Sequence, residues 1–478
     1  MDLDGAIVSK GFRGRLLRAL PILESHPNHR ERIEWFRFLN LVCFGCFVDD
    51  SERPKKVIPH ETILEAIGRD PSTPSSEFKS GEFIARFNDN VLPRFLVSPH
   101  DHRGMAREVL DDGLHALRKD IENELVSFHS VTDSEKVHLV TGERWTPPKA
   151  RALRGADRKI AESEVPKVAA AKRIVAYLNA LKSNLFAAKV SANMERAVEV
   201  ARGIADPKRR AIELTKLHRI AAQPQPFYGP PTDAHTVRVF AKNVAIPSLK
   251  NEVKAALIDG WTTFDLKSAQ FAIVAKDWGM TELHTWLSTP GNDIWKELCD
   301  LFTTMSPEKM KPVLKEAVYS ICYGMSSENI ISRLKDGFVD LGCSDFDAHI
   351  RAMAFIEDAY VVPLFQHREL MSEKVKRDRG AKDCFGQWIA TTKEVQPRKV
   401  LAQLSQAREM QLLLPAIDLA TKRKNEFKIA LWEHDGFSVH FTRQDRIESE
   451  SQRIIGAVNA ECTRLGYPTR LERKAPSV

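Results

Sequence analysis

The chain has 478 residues, a length that suits two to four domains of ordinary size. Its hydrophobic fraction of 43% and charged fraction of 28% are those of a water-soluble globular protein, and the formal net charge of +7 permits an anionic partner without demonstrating one. The acidic first residues argue against a secretory signal, and the seven scattered cysteines fit a reducing compartment. With no run of about 18 apolar residues, we expect a cytoplasmic protein without a membrane span.

The first part of the chain, residues 1–164, predicts a mainly helical accessory domain. Residues 13–23 and 31–48 have helical patterns, and the segments between and after them are rich in proline, glycine or serine. We find no convincing set of spaced acidic residues of the kind that a proofreading exonuclease needs. Basic residues cluster over 146–173, so we expect this region to contact a template strand or a replication protein.

Two long helical patterns follow, over residues 165–189 and 192–222, with an interruption near Asp206-Pro207 in the second. Apolar residues recur every three or four positions in both, which indicates an antiparallel helical pair. The charged face of this pair could follow a phosphate backbone, and a merely solvated face explains the pattern about as well. A proline-rich stretch at 223–233 closes the unit.

Residues 263–275 carry the most informative local pattern. They predict a strand that ends at Asp265 and a helix from Ser268 that buries Phe271. A carboxylate fixed by a strand, with the carbonyl of Leu266 beside it, offers hard oxygen ligands to a divalent metal. The alternative is that Asp265 caps the helix that follows.

A second stretch predicts a helix with four chemically related positions on one face. Lys311, Lys315, Tyr319 and Tyr323 recur at intervals of four residues, so their side chains follow one another along the helix. Two cations and then two aromatic rings fit an incoming nucleoside triphosphate, whose phosphates would meet the lysines. The alternative is an amphipathic surface helix with solvated lysines and half-buried tyrosines.

A third stretch, residues 431–440, predicts a β-hairpin with Asp435-Gly436 between two apolar strands. If folding places Asp435 beside Asp265, the two carboxylates can hold two Mg²⁺ ions roughly 3.5–4 Å apart, with Mn²⁺ as the alternative metal. One ion would activate a 3′-hydroxyl group, and the other would balance charge on the leaving pyrophosphate. Little else is needed, because phosphoryl transfer is mostly positioning and electrostatics.

In order and spacing, these stretches resemble the motifs of family A DNA polymerases, the DNA polymerase I type, and more distantly the phage-type single-subunit RNA polymerases. The strand of Asp265 is similar to the first catalytic motif, the lysine-tyrosine helix to the fingers helix, and His434-Asp435 to the third motif. Residues 291–295 resemble the segment after the first motif. A Thr-x-Arg sequence that ends at Arg238 resembles the element that touches the minor groove of the primer-template.

The resemblance implies an α+β fold shaped like a right hand, with palm, fingers and thumb and an antiparallel palm sheet. It also implies a nucleotidyltransferase that binds a DNA primer-template and nucleoside triphosphates and uses two Mg²⁺ ions. The expected divisions are the N-terminal accessory domain at 1–164, a thumb-like helical pair at 165–224, the first part of the palm at 225–300, the fingers at 301–395 and the second part of the palm at 396–478.

Carried over position by position, the resemblance assigns each residue a role. Catalysis falls to Asp265, Asp435 and Lys315, and the Leu266 carbonyl joins the two aspartates as a metal ligand. The other expected contacts are Lys311 and Lys315 with the triphosphate, Tyr319 with the sugar, Tyr323 near the templating base, Gln270 near the ribose 2′ position, His434 with the primer end and Arg238 with the minor groove.

The sequence departs from the family pattern at three of these positions. Lys311 stands where Arg is usual, and Lys cannot form the forked bidentate contact. Gln270 replaces a glutamate and could also donate a hydrogen bond to a 2′-hydroxyl group, which leaves the choice of sugar open. Gly436 stands where the DNA enzymes usually have a second acidic residue. The Gln-Gly-Thr helix of the family corresponds only loosely to residues 403–411.

Three functions therefore compete. The leading prediction is a template-directed DNA polymerase without an evident exonuclease, suited to plasmid or phage replication or to repair. The second is an RNA-synthesising or priming enzyme on the same palm, which Gln270 and Gly436 motivate. The third is a nucleic-acid-binding protein with a decayed polymerase core, against which the retained aspartates and lysines argue.

Overall fold

The computed structural model describes residues 7–40, 56–58, 63–64, 67–70, 73–74, 76–90, 95–98, 106–110, 120, 123–124, 127–132, 134–146, 169–205, 207–229, 238–242, 244–302, 305–393, 395–422, 426–433 and 435–474. All structural statements below concern these residues. The prediction for His434 and most of the basic stretch at 146–173 lie outside them.

The N-terminal part combines short helices with small antiparallel sheets. Strand β1 pairs with β5, and β4 lies between β2 and β3, so the expectation of a mainly helical region missed these strands. The Ser9 hydroxyl begins the first helix by accepting a hydrogen bond from the Phe12 amide. The elements are β1 (Ile7–Ser9), α1 (Lys10–Ala19), α2 (Ile22–Ser25), α3 (His29–Asn40), β2 (Lys56–Ile58), α4 (Ser80–Asn90), β3 (Phe95–Ser98), β4 (Ala106–Leu110) and β5 (Lys136–His138).

Three helices follow: α5 (Ala169–Asn179), α6 (Ser183–Arg202) and α7 (Pro207–Ala222). The break near Asp206-Pro207 was predicted and is confirmed. The single helix predicted over 165–189 is wrong, because α5 ends and α6 begins on either side of Leu181. Leu181 packs against two separate apolar cores. The chain turns at this residue, so that the buried residues of α5 belong to one core and those of α6 to the other.

The helices α6 and α7, together with α8 (Asn251–Leu257), share one apolar core with the N-terminal elements. Every third or fourth residue of α6 from Phe186 to Ala201 is buried, which is the spacing of one helix face. Fully buried rings of the N-terminal part, Phe12 and Trp35, belong to the same cluster as Phe186 and Leu257. Residues 7–40 and the helical pair therefore share one hydrophobic core.

A four-stranded antiparallel sheet lies at the centre of the second half of the chain. Its strands are β8 (Thr262–Leu266), β11 (Phe427–Trp432), β12 (Gly436–Phe441) and β13 (Leu471–Arg473), in the order β11-β12-β8-β13. Residues alternate in β8, so that Phe264 and Leu266 are buried whereas Asp265 points to the other face. The predicted α+β class, the strand of Asp265, the hairpin and an antiparallel sheet are confirmed.

Helices surround this sheet. The long α16 lies against α9, α15 and α17, and the residues of α9 that face away from solvent are almost all apolar. None of the helices in the described residues combines the length and the apolarity that crossing a bilayer requires. The remaining elements are β6 (Tyr228–Gly229), β7 (Phe240–Ala241), α9 (Ala269–Asp277), α10 (Thr281–Ser288), α11 (Ile294–Asp300), α12 (Pro307–Cys322), α13 (Ser327–Asp340), α14 (Asp345–Ile356), α15 (Val361–Arg377), β9 (Gly380–Lys382), β10 (Trp388–Ala390), α16 (Pro397–Ala420) and α17 (Ile447–Arg464).

Candidate active site

The structure brings Asp265 and Asp435 together at one end of the central sheet. Asp265 pairs with Gly436 in the β8–β12 register, and the Leu266 amide donates to the Asp435 carbonyl at 2.9 Å. Asp265 does not cap the helix that follows, because the residue before α9 is Ser268, in the left-handed region at φ 51°. Two carboxylates that are distant in sequence thus lie on adjacent backbone segments.

Gly436 allows this close approach. A Cβ atom at this position would overlap the Phe264 carbonyl oxygen and would lie 3.0 Å from Asp265 Oδ1 and 3.2 Å from Asp265 Cα. The sequence comparison with family A polymerases expected an acidic residue here. No side chain fits at position 436 unless the two strands separate, so the absence of that carboxylate follows from the packing.

Cationic groups surround the two carboxylates. Lys474 Nζ lies 2.8 Å from Asp265 Oδ2, and Lys315 Nζ lies 3.6 Å from Asp435 Oδ2. The Tyr319 hydroxyl donates to Asp435 Oδ2 at 3.3 Å. Of the lysine-tyrosine face of α12, Lys315 and Tyr319 thus contact Asp435 directly.

The electrostatics of this group favour additional positive charge. Burial raises the pKa of Asp265 to about 6, and the charge of Asp435 contributes to the rise, whereas Lys474 and Lys315 oppose it. Burial disfavours the charged form of Lys474, but the Asp265 carboxylate outweighs it and raises the pKa of that amine. A carboxylate whose pKa is raised by burial and by a neighbouring carboxylate is one that a divalent cation would stabilise in its charged form.

The donor set at this edge suits a hard cation. Two carboxylates and the Leu266 carbonyl, which the sequence assigned as a ligand, are all oxygen donors of the kind that Mg²⁺ prefers. Within the part of the chain that the structure describes, no cluster of three or more histidine, cysteine, aspartate or glutamate side chains is arranged to hold a metal. A metal here would therefore keep several ligands from water or substrate.

A buried polar network lies behind the aspartates. Arg238 Nη2 donates to Glu409 Oε2 at 2.8 Å and to the Tyr323 hydroxyl at 3.0 Å, and Gln270 Nε2 donates to Glu409 Oε1. Gln270 is completely buried, and the Glu409 side chain is 1% exposed. Burial raises the pKa of Glu409 to about 7, with Arg238 opposing the rise and Asp435 contributing to it. Two predicted site residues, Arg238 and Gln270, thus bind the same carboxylate, and Tyr323 joins the network through Arg238.

The remaining side chains of the lysine-tyrosine face are Tyr323, just after the end of α12, and Lys311, near its start. Tyr319 and Tyr323 are edge to face, with ring centroids 6.4 Å apart. The helix ends at Cys322, with Tyr323 as its C-terminal cap, because Gly324 follows at φ 88°. A Cβ at Gly324 would overlap the Arg398 side chain. Lys311 lies one turn before Lys315 and is exposed, away from the carboxylates.

Sequence reasoning missed Lys474 and Glu409. Lys474 reaches Asp265 because β13 pairs with β8. This pairing joins residues about two hundred positions apart, and no local sequence pattern predicts it. Glu409 lies within the stretch 403–411, which the family resemblance could place only loosely. Its signal was an acidic residue on a helix whose neighbours Ala407 and Met410 are apolar and buried.

Paired carboxylates, flanking ammonium groups and an aromatic pair beside an antiparallel sheet form the class of site that can serve phosphoryl transfer. No protein-family description and no curated protein matches the chain. Among solved structures, one similar chain is the POL domain of Pol1 from M. smegmatis, in complex with DNA primer-template and dNTP, at 12% identity and a TM-score of 0.40. The match covers 58% of this chain and 54% of that one. This likeness is weak, and the functional proposal rests on the side chains of the site.

Proposed function

We propose that this chain is a template-directed nucleotidyltransferase that adds deoxynucleotides to the 3′-hydroxyl group of a primer. The observation that supports the proposal is the placement of Asp265, in β8, beside Asp435, in the turn just before β12, with Lys315 and Tyr319 directly against Asp435. Chemistry that needs two carboxylates and a phosphate-binding lysine at one place has its groups within reach here.

In this proposal, Asp265 and Asp435 hold two Mg²⁺ ions, or Mn²⁺, with the Leu266 carbonyl as a further ligand. Bound metal would supply a lowered pKa for the 3′-hydroxyl group and charge compensation for the pyrophosphate. Lys474 holds Asp265 in the charged form, ready for a metal. Lys315 lies close enough to the aspartates to meet a phosphate bridging to them, and Lys311 extends the same face outward.

The same proposal assigns the parts of the chain. The central sheet would be the palm (225–300 and 396–478), the helices of 301–395 the fingers, 165–224 a thumb-like pair, and 1–164 an accessory domain that contacts template or a replication protein. Arg238 would reach the minor groove only by leaving Glu409, to which it is bonded here. His434 would meet the primer end, and Tyr323 the templating base.

An RNA-synthesising enzyme on the same palm is the second candidate function. Gln270 uses its amide nitrogen to donate to Glu409, and in the described structure its carbonyl oxygen Oε1 is a buried acceptor with no hydrogen-bond partner. A buried acceptor left without a donor costs about 1–3 kcal/mol. A ribose 2′-hydroxyl group could provide that donor if the packing over the fully buried Gln270 side chain opened, whereas a deoxyribose has no donor to offer there.

Primer extension tests the proposal. Purified protein should extend a primed DNA template with dNTPs and Mg²⁺, and Asp265→Ala or Asp435→Ala should abolish extension. Asp340→Ala, which removes an exposed aspartate at the end of α13, is the matched control and should retain activity. Full activity in both active-site variants would refute the assignment.

The same assay separates the alternatives. Robust incorporation of rNTPs without a primer would favour the RNA-synthesising enzyme. Affinity for primed DNA without turnover under Mg²⁺ or Mn²⁺ would identify a nucleic-acid-binding protein with a decayed core.

A further inference from the structure

A second cavity lies in the N-terminal part of the molecule, between α1, α3 and the turn after β5. Its volume is about 710 Å³, within the range of sites for small ligands. None of the residues that line it belongs to the candidate active site. Three arginines and a histidine share the lining with a single carboxylate, Glu24, so the wall is rich in positive charge.

Arg13 is fixed in this wall by neutral partners. Its Nε donates to the Leu139 carbonyl at 2.9 Å, and its guanidinium carbon lies 5.6 Å from the centroid of the Phe36 ring. Gly142, at φ 71°, turns the chain around it, because a Cβ there would lie 2.8 Å from the guanidinium carbon. These contacts orient the cation without neutralising its charge.

Arg32 is held in the same way. Its Nη1 donates to the Glu24 carbonyl at 2.5 Å, and its Nη2 lies 2.8 Å from His29 Nδ1. Because a guanidinium group only donates, His29 Nδ1 accepts and the second ring nitrogen carries the proton. Arg32 and His29 thus present donors to the cavity while the Arg32 charge stays uncompensated by these two contacts.

Glu24, the one carboxylate among the described residues of the lining, is a weak counter-charge. Glu24 Oε1 lies 3.6 Å from Arg13 Nη1, and its side chain is 61% exposed to water, which screens the pair. The remaining described lining residues are apolar except for Thr141: Leu23, Ile33, Phe36 and Val140. An anion joined to a flat, largely apolar body matches both halves of this lining.

We propose that this cavity binds a phosphorylated ligand of mononucleotide size, with the phosphate at Arg13 and Arg32 and the base against the apolar wall. The ligand is either a free nucleotide or the terminal nucleotide of a strand, since both offer the same phosphate and base. The site is separate from the polymerase site proposed above and does not depend on it.

Calorimetric titration of the full chain tests the proposal, in EDTA so that no metal supports binding at the aspartates. Adenosine 5′-monophosphate should bind, and adenosine should bind at least about tenfold more weakly, because it lacks the charge-assisted contacts. A 5′-phosphorylated thymidine tetranucleotide compared with its 5′-hydroxyl form shows whether the end of a strand is taken instead. A phosphate-dependent affinity in either arm supports the site, and equal binding of the phosphorylated and unphosphorylated forms in both arms refutes it.

Four variants locate the binding. Arg32→Gln should weaken binding about tenfold, whereas Arg18→Gln, which removes an exposed arginine at the end of α1, should leave it unchanged. Glu24→Gln should tighten binding severalfold by removing the opposing charge, a result that a misfolded protein cannot give. Unchanged affinity in both cavity variants, or loss of binding in Lys315→Ala alone, would overturn the proposal.

Discussion

Replacing Gly436 with alanine tests whether the close approach of β8 and β12 builds the site. The new Cβ would overlap the Phe264 carbonyl oxygen and would lie 3.2 Å from Asp265 Cα, both main-chain atoms that cannot rotate away. A carbon atom packs at about 3.5–4.0 Å from its neighbours, so the strands must part locally by about 1 Å.

The expected cost of Gly436→Ala follows from that displacement. Overpacking of this kind costs about 1–3 kcal/mol, and weakening the bond from the Leu266 amide to the Asp435 carbonyl adds about 1 kcal/mol. We therefore expect a loss of about 2–4 kcal/mol in the free energy of unfolding of the sheet. Because Asp265 and Asp435 would also move apart, nucleotide incorporation should fall with it.

Gly456→Ala is the matched control. Gly456 lies within α17, is exposed, and a Cβ there would meet no atom within 4 Å. Alanine should stabilise this helix by about 0.5–1 kcal/mol. Urea midpoints and native-state hydrogen exchange of the sheet amides measure both changes. If Gly436→Ala were as stable and as active as the parent, the steric account of the site would be wrong.

Three further predictions follow from the charges. The Mg²⁺-induced rise in Tm should grow as the pH rises through about 6, because metal needs Asp265 deprotonated, and Asp265→Asn should remove this dependence. In EDTA, the pKa of Asp265 is raised from 3.8 to about 6, so the stability that this group contributes is lost as the pH rises through that window. The urea midpoint of the parent relative to Asp265→Asn should therefore fall over the same window, and a rise would contradict the assignment. Arg238→Met should cost about 3–5 kcal/mol because Glu409 stays buried, whereas Arg196→Met, at an equally short but exposed ion pair, should cost at most about 1 kcal/mol; equal costs in thermal unfolding would show that burial does not matter here.

Local patterns were sufficient to predict the elements that carry the aspartates. The alternation around Phe264, the Asp-Gly turn and the four-residue spacing on α12 each describe one segment, and each segment folds as its own periodicity demands. The adjacency of Asp265 and Asp435 is a prediction about tertiary structure. It depends on the order of motifs in the family that the sequence resembles, because no local pattern specifies which strands pair.

The parts that could not be predicted depend on contacts between distant segments. Lys474 becomes a partner of Asp265 only through the pairing of β13 with β8. Glu409 joins the polar network only because α16 packs against α9. Similarly, the chain turns at Leu181 and divides one helical pattern into two helices, because the segments before and after it are buried in different cores. Periodicity reports which face of a helix is buried, and it does not report against what.

The common core of residues 7–40 with α6, α7 and α8 has a consequence for how this molecule can be divided. A fragment that starts near residue 165 would lose the N-terminal half of the apolar cluster that Phe186, Val190 and Leu257 share with Phe12 in the intact chain, and would expose part of it. Such a fragment should aggregate instead of behaving as a minimal catalytic unit. Any shortening of this protein from its N-terminal part would therefore need compensating changes on the buried faces of α6, α7 and α8.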